Sequence, residues 1–114
     1  MERLSQTDRL SIKEIADLVG DRRNRVKSVF DQYRVLFRTV NNPQGTQRRL
    51  YDSFCVKAYI IHREITSSLN YKSYRADEML RLLDINLLWE HYKAGLQQLS
   101  AYLITTQQQQ MGVT

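Results

Sequence analysis

Apolar residues recur at helical spacing in five stretches of the chain. In the first, Ile12, Ile15, Ala16 and Val19 stand three, four and seven apart, with Ser11 in front and Glu14 three residues later. That is the pattern of a capped amphipathic helix over residues 11–19. Gly20 ends it, because glycine enters the left-handed C-cap conformation without steric cost. Asp21 is placed to cap a second helix whose inner stripe is Val26, Val29, Phe30 and Tyr33, leaving Arg22, Arg23, Arg25, Lys27 and Ser28 off that stripe. Two short helices joined at a glycine predict a helix-turn-helix with a basic second member.

The period then changes. Val35 to Val40 is rich in β-branched and aromatic residues, and Arg48-Arg49-Leu50-Tyr51 is suited to pair with it across Asn41 to Thr46. This predicts a two-stranded hairpin, a wing, with Leu36, Val40 and Leu50 packed on the helices. Asp52 is placed to cap a third helix from Ser53 to about Thr66, apolar over much of its circumference and therefore central to the core. A polar and aromatic loop from Ser67 to Ala76 leads to a short helix ending at Leu83. From Asp84 a single long helix is expected. With Ile85 at heptad position a, Leu88, Tyr92, Gly95, Leu99 and Tyr102 continue the a/d seam, and Trp89, Leu96 and Leu103 widen it. A stripe this wide predicts pairing with a second copy.

The expected fold class is mainly α with a small β-hairpin wing: a winged helix-turn-helix over residues 1–83, a dimerisation helix over 84–110 and a flexible tail over 111–114. With 114 residues, 42% hydrophobic and 25% charged, the chain has material for one core and the composition of an ordinary globular protein. No apolar run reaches the roughly 18 residues of a spanning helix, so no membrane partner is expected. The first residues lack the apolar core of a secretory signal, and Cys55 is the only cysteine. Both features point to the reducing cytoplasm.

Charge sharpens the picture. The net charge is +5, and between Asp21 and Lys57 nine basic residues face three acids, so the excess sits in one third of the chain. Most of it is arginine, whose planar fork suits phosphate and guanine edges. Arg22, Arg23 and Arg25 at the start of a helix oppose its dipole, a conflict that a bound anion relieves. This balance of charge suggests a polyanionic partner without naming it. The candidate contacts are Arg22, Arg23, Arg25, Lys27, Ser28, Arg34, Arg38, Arg48 and Arg49, together with Lys72 and Tyr71, whose ring either stacks or contacts phosphate or else fills the underside of its loop.

The chemistry of an enzyme is missing from the pattern. His62 and His91 stand alone, Cys55 has no metal-ligand spacing around it, and the four glycines are scattered. No catalytic residue, metal or cofactor is expected.

The order of elements, together with Ser11 to Gly20, Gly45 to Asp52 with its Arg48-Arg49-Leu50-Tyr51 string, and Asn70 to Leu83, resembles the winged-helix domain of the MerR family of transcription regulators. In two places the chain departs from that family. Ser28-Val29-Phe30-Asp31 replaces an aromatic pair followed by an acid, and Asp84 stands where metal-sensing members carry cysteine. The resemblance implies a homodimeric repressor that binds double-stranded DNA sequence-specifically without a small-molecule effector, serving a mobile element or defence locus. In that picture Arg22, Arg23, Arg25 and Lys27 enter the major groove with Arg25 at a base edge, and Arg38, Arg48 and Arg49 on the wing bind backbone phosphates. Leu50 to Ser53, with Val56, Tyr59, Arg63 and Glu64, is also similar to the DNA-binding domain of phage small terminase subunits, and excisionases share the winged fold. That similarity implies a DNA-packaging or recombination accessory protein instead.

Overall fold

The structure, a computed structural model, describes residues 9–40 and 49–111, with side chains as far as Thr106. Among the described residues six helices carry the fold: α1 (Ile12–Val19), α2 (Arg23–Gln32), α3 (Ser53–Ser67), α4 (Ser73–Leu82), α5 (Ile85–Ala94) and α6 (Leu96–Met111). Helix α3 is the hub. Val56, Ala58, Ile61 and Ile65 are wholly enclosed, and α1, α4 and α5 pack around it.

Local chemistry accounts for the helix starts that form as read. Ser11 accepts from the Glu14 amide while the Glu14 carboxylate accepts from the Ser11 amide, completing a capping box, and Gly20 closes α1 at φ 72°. Asp52 caps α3 and Asp84 caps α5. Between α3 and α4 the chain turns at Asn70, held at φ 62°, a conformation that asparagine tolerates better than most residues.

The predicted hairpin wing is overturned. Among the described residues the fold is all-helical, with no strand, and only two isolated bridges occur, Val40 to Leu50 and Leu10 to Tyr51. The reason lies in Leu36 and Phe37. Both are buried, whereas neighbours on a strand point to opposite faces. The backbone instead continues from α2 in turns, with Phe37 N–H donating to the Tyr33 carbonyl, and this lays the Phe37 ring on Phe30 with centroids 4.4 Å apart. Tyr51 and Tyr59 meet Phe30 edge-on, so that an aromatic core replaces a pleated surface. The proposed tip, Asn41 to Thr46, and Arg48 lie outside the described residues.

The single long C-terminal helix is overturned as well. Gly95, at φ 135° and ψ 160°, separates α5 from α6, and the second helix packs against the first. His91 stacks on Tyr102 across the break, with centroids 4.4 Å apart. Of the residues assigned to a dimer seam, Ile85, Leu88, Leu99 and Leu103 are buried inside this chain. Trp89, Tyr92, Gly95 and Tyr102 are half-buried, and Leu96 is exposed. The breadth of the stripe is explained by one side packing on α3 and another closing the bend.

Candidate nucleic-acid interface

Helix α2 is seated by Val26 and Phe30, both buried, and by half-buried Val29 and Tyr33. With 3.6 residues per turn, that seat leaves Asn24, Ser28 and Gln32 on the opposite, outward ridge, and all three are exposed. Arg23 and Lys27 flank the ridge on one side and Arg25 on the other. Arg22, Arg23, Arg25 and Lys27 are exposed and have no ion-pair partner among the described residues. Asn24 and Gln32 escaped the sequence reading, which followed charge. Their four-residue spacing around Ser28 was the available signal.

The turn before α2 is held from α3. Asp21 does not cap α2. Its carboxylate accepts from the Tyr59 hydroxyl at 2.8 Å and from Arg63 at 2.9 Å, and the same guanidinium nitrogen donates to the Val19 carbonyl at 2.7 Å. The Tyr59 hydrogen bond, reinforced by Arg63 against the opposing effect of burial, holds the Asp21 carboxyl below its ordinary range. Burial, with Asp21 close by, pushes the Tyr59 hydroxyl up to about 12. Helix α2 therefore begins on Arg22 without a side-chain cap and without an acid in its first turn. Helix α4 also begins uncapped, on Lys72. Exposed amides beside cations are a setting for anions.

Two hollows adjoin the basic helix. An open groove lies between α1 and one flank of α2, walled by Lys13, Arg23, Asn24, Lys27, Asp31, Arg34 and Arg49. Beside it, Arg34, Arg38 and Arg49 rim a depression of about 370 Å³ floored by the Phe30, Phe37 and Tyr51 rings. Asp31 borders both. Its carboxylate accepts from Arg49 at 3.2 Å and lies 3.8 Å from Arg34. Burial raises the Tyr51 hydroxyl above its ordinary value, so that ring stays neutral.

Among the residues assigned to DNA, Arg22, Arg23, Arg25, Lys27, Ser28, Arg34, Arg38 and Arg49 are exposed on α2 or the chain beside it. Arg25 lies off the groove, near enough to Asp21 to help lower its carboxyl. Lys72 is exposed and close to the end of α2, because the Tyr33 hydroxyl donates to Ser73 Oγ at 2.7 Å. Tyr71 is half-buried against the core, so its ring fills the underside of the loop. Arg48 lies outside the described residues.

Elsewhere the titratable groups serve the fold. Burial pushes the Cys55 thiol up to about 12, which leaves it protonated at neutral pH, and its Sγ lies 3.6 Å from the Arg38 carbonyl. His62 is buried with Nε2 3.2 Å from the Ser73 carbonyl. Among the described residues no group of three or more His, Cys, Asp or Glu is placed to hold a metal, and no helix is long and apolar enough to cross a membrane. No family model, curated protein or solved structure matches the chain, so the reading of this face rests on its own residues.

Proposed function

We propose that the protein binds double-stranded DNA through α2 and acts as a sequence-specific transcription regulator, a repressor that occupies promoter DNA. The observation that carries this reading is the arrangement of α2: a polar ridge of Asn24, Ser28 and Gln32, with Arg23 and Lys27, unpaired among the described residues, beside Asp31 on one flank and Arg25 on the other. The major groove admits one α-helix and presents donors and acceptors at its floor with phosphates along both walls. Asn and Gln match adenine edges, serine serves either base of a pair, and arginine and lysine meet the walls. Arg25, which the sequence suggested for a base, is better placed for a phosphate.

Supporting features come from the neighbours of α2. The short α1–turn–α2 unit is fastened to α3 by Asp21, Tyr59 and Arg63, giving the helix a rigid mount. Its N-terminus keeps its amides uncapped. Mapping amide NMR shifts while titrating a duplex selected from a random pool tests the reading. Shifts should concentrate between Arg22 and Arg34 and at Arg49. Shifts confined to α5 and α6, or none, would overturn it.

A further inference from the structure

Asp31 is the one acid bordering both hollows of the basic face among the described residues. On simple electrostatics a carboxylate there weakens attraction for any polyanion. Yet it is the shared partner of two guanidiniums, one local, from Arg34 just past the end of α2, and one distant, from Arg49 shortly before Tyr51. The backbone under Arg49 is fixed close by, since Leu10 and Tyr51 exchange both amide hydrogen bonds at 2.7 Å and the Leu50 carbonyl accepts from Val40 at 2.8 Å. The two arginine side chains are half or more exposed, and at the rim of the depression both heads lie beside the Asp31 carboxylate, Arg49 hydrogen-bonded at 3.2 Å and Arg34 at 3.8 Å.

We infer, resting on the DNA reading above, that Asp31 is a positioning residue that trades general affinity for specificity. It holds Arg34 and Arg49 together so that, with Arg38, they clamp one backbone phosphate over the depression and fix the register in which α2 meets the bases. A guanidinium has five N–H donors, so a bond to Asp31 leaves others for the phosphate. A clamp with set geometry favours a duplex locked in one register. On unselected DNA, where the protein has no fixed register, counterion release dominates and the carboxylate only repels. The two consequences have opposite sign, which separates positioning from plain charge.

The test compares the wild type with Asp31→Asn and Arg49→Lys on two duplexes, one enriched by the wild type from a random pool and one of scrambled sequence. Asp31→Asn should bind the scrambled duplex about two- to threefold more tightly, the effect of one charge in a water-like dielectric, and the enriched duplex about fivefold more weakly, of the order of one weakened charged hydrogen bond. Arg49→Lys keeps the charge and loses the fork, so it should weaken only the enriched duplex. A gain for Asp31→Asn on both duplexes would reduce Asp31 to a charge, and an equal loss on both would reduce it to a fold contact. Either result overturns the inference while leaving DNA binding intact. A wild type that binds neither duplex overturns the function itself and this role with it.

Discussion

At the scale of single residues, the protein is organised by side chains that bridge elements distant in sequence. Arg63 ties the end of α1 to α3, with 26% of its side chain exposed against 17% for Asp21, so solvent screens the pair little. Replacing Arg63 with Ala removes bonds to a carboxylate and to a helix-end carbonyl, and should cost about 2 kcal/mol of unfolding free energy in urea titrations. Asp21 has a lowered pKa in the folded chain, so its contribution is present above the unfolded value near 4 and is lost as pH falls through the folded value. His62 acts at milder pH. Burial lowers its pKa even though the Ser73 carbonyl and Asp77 favour the charged form. The unfolded state therefore binds its proton first, and stability should fall as pH drops from 7 toward 5. In His62→Gln the urea midpoint should change less between those two pH values, and an unchanged slope would refute this assignment.

At the scale of elements, the helices with local start and stop signals were legible and the elements set by distant packing were not. Ser11, Glu14 and Gly20 act within a few residues of one another, so α1 forms as the sequence announces. Arg22 starts α2 because Asp21 is drawn to Tyr59 and Arg63, partners 38 and 42 residues away that no local pattern reveals. The stretch from Val35 to Val40 has the composition of a strand, but Phe30 and the aromatic core bury Leu36 and Phe37 together and force turns. The break at Gly95 was concealed by a seam that stays in register through it. One glycine in a helix costs only about 1 kcal/mol, so it permits a bend without demanding one. Burial now separates two leucines of that seam, since Leu99 is fully enclosed and Leu96 is 39% exposed. Leu99→Ala should lose about 2–5 kcal/mol in chemical denaturation, and Leu96→Ala well under half as much. Because α5 buries Leu88 beside α3, truncation before Asp84 should unfold the protein instead of releasing a folded monomer, as far-UV circular dichroism would show.

At the scale of the whole molecule, a body of 48 × 28 × 24 Å carries a net charge of +5, and among the described residues Arg22, Arg23, Arg25 and Lys27 stand without an ion-pair partner at α2. The basic region was legible in the sequence because charge can be counted along a chain. The ridge of Asn24, Ser28 and Gln32 and the Asp31 pivot appear only once the buried side of α2 and the path of the chain to Arg49 are known. DNA binding by this face makes a quantitative demand on salt, since each neutralised duplex phosphate adds about 0.9 to the slope of log K against log salt concentration. The deciding measurement is fluorescence anisotropy of a labelled duplex with the wild type and with an Arg23→Ala, Lys27→Ala, Arg34→Ala variant, titrated between roughly 50 and 200 mM salt. The account predicts steep salt dependence for the wild type and a slope shallower by about 2 to 3 in a variant whose circular dichroism is unchanged. Equal slopes for the two proteins, or no binding by the wild type at the lowest salt, would contradict it.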